Sequence, residues 1–231
     1  MKILFKYISL IALFFAISAC DSELDIQPEQ SLSPEVTFSN EAGAQAALLG
    51  AYSAAQSLDA FGGLAIAIND YMADNVRFVG SFPTLQELNN YVTIASNGSI
   101  QTMWAAHYFT ILAANAVIDN IPAVVDPGFT DAERKQLIGE AKFIRALTYF
   151  QMVNLWGQPY QVSNGNTPGV PLLLTAGALV GDIVKPARNT VAEVYAQVEK
   201  DLTEALPDVL NNFSAADQTR GRATKGAVNA L

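Results

Sequence analysis

Residues 130–159 read TDAERKQLIGEAKFIRALTYFQMVNLWGQP, and this stretch decides the fold class. Thr130 followed three positions later by Glu133 is a capping box, in which each side chain accepts from the other residue's backbone N–H. Behind it Leu137, Ala141, Ile144, Leu147 and Phe150 recur at steps of three and four, the period of a helix with one buried face. The pattern runs to about Leu155, where Gly157 and Pro159 stop it. The spacing therefore predicts a long amphipathic helix.

The same reading applies along the rest of the chain. Residues 40–57, NEAGAQAALLGAYSAAQS, are alanine-rich and place Leu48, Tyr52 and Ala55 at helical spacing. Residues 100–121 put Ile100, Trp104, Tyr108, Ile111, Ile118 and Ile121 on one stripe. Thr190 and Glu193 repeat the capping box, and Val191, Val194, Val198, Leu202 and Ala205 form the stripe behind it until Pro207. Thr224 reads as the N-cap of a further helix that runs into Leu231 with its apolar pattern still rising. That helix reads as cut short, which predicts that the chain is the N-terminal portion of a longer protein. Residues 64–75 are compatible with helix. Val79 to Asn97, with Gly80, Pro83 and two asparagine clusters, predicts a long irregular segment, and Gly157 to Pro186 a second. The expectation is an all-α, helical-repeat scaffold with long irregular loop excursions, although no fixed period is sharp.

The first twenty residues address the chain to the cell envelope. Lys2 and Lys6 precede an apolar run from Tyr7 to Ile17, too short to cross a bilayer and followed by Ile17-Ser18-Ala19-Cys20. This predicts a signal peptide over 1–19, and the ending resembles a lipobox whose cysteine becomes the lipidated N-terminus. The alternative is an ordinary signal peptide with a chance cysteine. Cys20 is the only cysteine, so it has no partner for an internal disulfide. Residues 20–39, which open on the acidic, proline-punctuated stretch CDSELDIQPEQSLSP, read as an extended tether, and residues 40–231 as the helical domain.

Composition excludes several classes of function. With Lys2 and Lys6 removed, 11 basic residues stand against 22 acidic ones, a net charge of −11. Such a chain repels phosphate backbones, so nucleic acid is not an expected partner. The single histidine, His107, lies near the apolar stripe of 100–121 and reads as structural. One histidine and one cysteine give neither a His/Cys metal cluster nor a nucleophile–base pair, so no metal, cofactor or catalytic residue is expected. Asp70 and Asp74, four apart, would share a helix face, and a pair of carboxylates is the equipment of a glycosidase. No second signature supports catalysis. Glu140 and Arg145 read as structural, with Arg145 answering buried carboxylate or carbonyl groups of adjoining helices. Trp104 and Trp156 read as packing residues. A recognition site fits the 70–82 region better than a catalytic one. Asp70, Asp74, Asn75 and Arg77 supply hydrogen-bonding groups beside Tyr71, Phe78 and Phe82, and a sugar ring offers hydroxyls to bond and a C–H face to stack.

Seven blocks, in order, resemble the SusD/RagB family of nutrient-binding lipoproteins. They are Cys20–Pro28, Ala42–Tyr52 (AGAQAALLGAY), Trp104–Asn115 (WAAHYFTILAAN), Glu140–Pro159, Gly169–Leu172, Arg188–Leu202 and Gly221–Lys225. The resemblance implies an all-α fold on tetratricopeptide-like helix pairs. It further implies lipid anchoring at Cys20 in the outer membrane, facing outward, and capture of an oligosaccharide or other nutrient. The implied partner is a TonB-dependent, SusC-like transporter, over which the protein would close as a lid. It implies no enzymatic activity, and it places part of ligand capture in the early loop region, without assigning residues there; the chemistry of the side chains themselves singles out Asp70, Asp74, Asn75, Arg77, Phe78 and Phe82. The rival readings are a lipid-anchored glycoside hydrolase and an envelope scaffold without a small ligand.

Overall fold

The computed structural model describes residues 33–179 and 185–231; the signal peptide, Cys20 and the tether up to residue 32 lie outside the described residues. The chain divides into two units, Met1–Val36 and Thr37–Leu231. Among the described residues of the second, eight α-helices follow one another: α1 (Glu41–Ala55), α2 (Leu64–Met72), α3 (Pro83–Asn89), α4 (Gly98–Asn120), α5 (Asp131–Trp156), α6 (Val191–Ala205), α7 (Ala216–Gly221) and α8 (Lys225–Ala230). No strand occurs among the described residues, where the β pairing is an isolated bridge between Pro168 and Thr190.

The starts of the helices follow their caps. Both capping boxes close, Thr130 with Glu133 and Thr190 with Glu193. Asn40 caps α1 by accepting from Gly43 N–H, and Asn97 caps α4 by accepting from Ile100 N–H. At the far end of α5, a Cβ on Gly157 would stand 2.6 Å from the Val153 carbonyl oxygen, so only glycine fits there.

α4 and α5 form the centre. One cluster packs Ala44, Leu48 and Ala51 of α1 against Ala114 and Val117 of α4 and Leu137, Ala141 and Ile144 of α5. A second joins Tyr108 and Ile111 to Tyr149, Met152 and Val153, with Val191, Val194 and Val198 of α6 on the other side. Each fully buried aliphatic side chain contributes about 1.5–3 kcal/mol relative to exposure. α4 is buried over more than the expected stripe, because Met103, His107, Thr110 and Asn115 are also covered. It has neighbours on several sides, so a one-faced pattern understates it.

Two charged clusters cross this core. Arg145 pairs bidentately with Asp201, at 2.8 Å from Nε and 2.7 Å from a terminal nitrogen, and also donates to Asn115 Oδ1. Glu140, fully buried, accepts from both Nε and a terminal nitrogen of Arg222, from the Tyr52 hydroxyl and from Gln136 Nε2. Both bear out the structural reading of Glu140 and Arg145, since every bond joins elements of the scaffold.

Two local expectations need correction, and one helix falls outside the segments read from the sequence. The 79–97 segment contains α3, which starts at Pro83 because the first helical position needs no N–H donor. A further short helix, α7, lies in a stretch without a clear pattern. Finally, α2 ends at Met72 rather than continuing to residue 75. Asp74 takes a left-handed conformation (φ 57°), Asn75 N–H donates to Asp70 C=O and Asp74 N–H to Tyr71 C=O, a Schellman ending. Asp70 and Asp74 therefore do not share a helix face.

Candidate functional site

The described residues of the 157–186 excursion are irregular yet held down at many points. A few backbone bonds pair it with 189–192, and side chains satisfy much of the rest. Tyr108 donates to Pro171 C=O, Asn115 Nδ2 and the Tyr149 hydroxyl donate to Leu173 C=O, and that hydroxyl in turn accepts from Leu173 N–H. Arg188 donates to the carbonyls of Trp156, Pro168 and Gly169. Burial pushes the Tyr108 and Tyr149 hydroxyls well above the ordinary tyrosine range, so both remain protonated donors.

The 56–97 region builds a cleft on the other side of Trp104. α2 gives Ile68 and Met72, α3 gives Leu88, the following turn gives Tyr91, Thr93 and Ile94, α4 gives Ile100, Gln101, Met103 and Trp104, and the end of α5 gives Leu155 and Trp156. The volume is about 700 Å³, within the usual range for a small-molecule site. Asn97 holds its floor together: besides capping α4 it donates to Thr84 C=O and to Glu87 Oε2 on α3. A smaller hollow of about 340 Å³, lined by Trp104, Tyr108, Pro171, Leu173 and Pro186, lies on the excursion side.

Aliphatic and methionine side chains make up most of the lining, and Tyr91, Trp104 and Trp156 add aromatic rings to it. Trp104 and Trp156 meet edge to face, centroids 5.1 Å apart at 86°. Tyr91, 60% exposed, sits at the rim in the left-handed region (φ 56°) and closes a second Schellman ending, after α3. Its hydroxyl donates to the Tyr71 carbonyl at the end of α2, which ties the two helix ends together. A bulky residue in that conformation is costly and is found where the surroundings impose it. Behind the wall, His107 is fully buried, with its ring 5.9 Å from Trp156 and 5.3 Å from Phe61.

None of the six residues singled out from the sequence lines this cleft; they lie beside it, between α2 and the start of α3. Phe78 is committed to structure: its ring packs edge-on to Tyr71 at 6.2 Å, and its N–H donates to Asn89 Oδ1. Asp70 is half-buried on α2. Asp74 closes the helix end. Asn75, Arg77 and Phe82 are exposed, Phe82 at 69%. Trp104 and Trp156 are packing residues as expected, but they also meet and form a wall, a role hidden in the sequence because their meeting depends on how α4 crosses the end of α5. Tyr91 carried no signal beyond being an aromatic residue in an asparagine-rich segment. Among the described residues no group of three or more His, Cys, Asp or Glu side chains could hold a metal ion.

This architecture is an all-α scaffold with a cleft beside its central helix pair, and comparison with known proteins places it. Residues 24–231 match the SusD-like family described as "Starch-binding associating with outer membrane", and the chain belongs to that family. A SusD-like protein of Formosa agariphila is 27% identical over 224 residues, covering 93% of this chain and 39% of that protein. Among solved structures, a SusD superfamily protein of Bacteroides thetaiotaomicron superposes with a TM-score of 0.70 at 26% identity, over 81% of this chain and 40% of its own. A laminarin-binding SusD-like protein has the same fold, with a TM-score of 0.67 at 24% identity over 83% of this chain and 39% of its own. The chain thus spans about two-fifths of the relatives it matches.

Proposed function

We propose that this chain is the glycan-capturing part of a lipid-anchored outer-membrane protein that delivers its ligand to a TonB-dependent, SusC-like transporter. Family membership over residues 24–231 supports the class. The observation that carries the binding reading is an apolar cleft bearing three aromatic residues, next in sequence to the exposed groups of Asn75, Arg77 and Phe82. Trp156, Trp104 and Tyr91 offer ring faces and edges to sugar C–H surfaces. Arg77 and Asn75 offer donors to hydroxyls, as do Thr93 and Gln101 in the cleft. Asp70 and Asp74 belong to this rim as hydrogen-bond acceptors, and Phe78 acts through the shape of the loop. In this reading Cys20 bears the lipid, the outward-facing protein acts as a lid over the barrel, and no bond in the ligand is cleaved.

Titration with a panel of soluble polysaccharides, laminarin among them, tests the reading through tryptophan emission and calorimetry. Arg77→Ala combined with Phe82→Ala should weaken binding about tenfold or more, since each lost contact is worth on the order of 1 kcal/mol. The helical spectrum should not change. Wild-type affinity in the double variant would remove these residues from the site, and hydrolysis of the bound glycan would favour the glycosidase alternative.

A further inference from the structure

His107 is the chain's only histidine, and the glycan-binding reading gives it no role. Its Nδ1 lies 2.7 Å from the Met103 carbonyl oxygen, which can only accept, so the proton of the neutral ring sits on Nδ1. Nε2 is then a bare acceptor, buried and without a partner among the described residues. The ring is wedged between Phe61, on the turn Leu58–Gly62, and Trp156 at the end of α5. A second proton could enter only at Nε2, where it would create a buried donor without an acceptor and a buried charge without a counter-ion.

Among the described residues, no charged group around the ring offsets this. On α4 itself, Tyr108 is bonded to Pro171 and Asp119 to Ala176 N–H. On α5, Arg145 is committed to Asp201 and Tyr149 to Leu173; on α1, Tyr52 is committed to Glu140. Asp59, on the turn that carries Phe61, makes no hydrogen bond or ion pair with the imidazole. Burial pulls the imidazole's pKa below its ordinary value, and the bond to Met103 only partly offsets this.

We propose that His107 positions the Trp156 indole and makes that wall of the cleft acid-sensitive: proton uptake at Nε2 drives the ring from its slot and releases Trp156. The sign follows from linkage. The seated ring holds protons less tightly than a released one, whose pKa is about 6.5, so falling pH favours the released state from that point downward. At neutral pH the wall is set.

The chain holds one histidine and two tryptophans, and both tryptophans line the cleft, so each spectroscopic signal has few sources. The histidine Cε1–H resonance should titrate with a midpoint below about 6.5, and tryptophan emission should change along the same curve. In His107→Phe the emission should stay flat over that range with the helical spectrum retained. Trp156→Phe, which leaves the imidazole in place, should abolish most of the emission change while the histidine still titrates. A midpoint at or above 6.5, emission that titrates unchanged in His107→Phe, or imidazole titration with unmoved emission would each overturn the proposal. Laminarin titrated at pH 7.5 and at pH 5 tests the link to the glycan-binding reading, on which only this arm rests. Weaker binding at pH 5 in wild type but not in His107→Phe supports it. Binding that ignores pH while emission responds puts the ligand elsewhere and leaves the acid-sensitive wall standing.

Discussion

Arg145 on α5 and Asp201 on α6 form a bidentate pair at 2.8 and 2.7 Å, nearly excluded from solvent, with the third guanidinium nitrogen on Asn115 of α4. One side chain thereby ties the three long helices that frame the fold. Gln197 adds a bond to the same carboxylate and Leu174 C=O accepts from the same guanidinium, so no charge is left bare.

Removing one partner should cost far more than removing both. Asp201→Ala strands the guanidinium and should destabilise the chain by about 3–5 kcal/mol in urea unfolding. Arg145→Met combined with Asp201→Leu should recover much of that loss. A double variant no more stable than Asp201→Ala would mean that the pair is needed for more than charge balance.

Glu140 presents the same logic at the other core cluster. Its carboxylate is fully buried and Arg222 supplies two of its four bonds, while the Tyr52 hydroxyl also accepts from Ala223 N–H. Arg222→Ala should therefore loosen the 211–224 segment before the helices melt. Limited proteolysis should show new cleavage there in the variant, and Glu140→Gln should be milder than Arg222→Ala.

The α6 start is a test of capping with a pH signature. Thr190→Ala should cost about 1 kcal/mol. The hydrogen bonds from Thr190 backbone N–H and hydroxyl hold Glu193 below the ordinary glutamate value. A lowered carboxylate contributes stability that is present above the unfolded pKa near 4.5 and lost as pH falls through the folded one. Glu193→Gln should remove that acid-limb dependence in thermal melts from pH 6 to pH 3.

Asp74 closes α2 in a conformation that glycine adopts without cost. Asp74→Gly should raise stability by about 0.5–1 kcal/mol, measured by denaturant midpoint. The same variant probes the site: unchanged glycan affinity would confine Asp74 to ending the helix, and weakened affinity would assign its carboxylate to the ligand.

Trp156 packs half-exposed against Trp104 and His107. Trp156→Ala should cost about 2 kcal/mol, less than a fully buried tryptophan because part of the indole already faces water. Near-ultraviolet dichroism should lose its tryptophan signal while the helical spectrum persists. A loss of helix would mean that this contact holds the end of α5 in place.

The sequence by itself determined the long helices and most of their limits. Capping boxes at Thr130 and Thr190 and the stop at Gly157 act within a few residues, so they are legible in one dimension. The ordered blocks resembling the SusD/RagB family also stand in the sequence, and the match over residues 24–231 bears them out. Local reading failed where a helix is short and its cue ambiguous. Pro83 reads as a breaker until it is seen to occupy a first helical position, and Asp74 reads as helical until the Schellman bonds turn the chain. Only the tertiary structure decided which side chains meet. Trp104 lies on the central helix and Trp156 at the end of the next, and they form one wall because α4 and α5 pack side by side. Arg145 finds Asp201 and Glu140 finds Arg222 for the same reason. Helix formation is a matter of neighbours three and four residues away, whereas a cleft is made by residues far apart in sequence that share one enclosed volume.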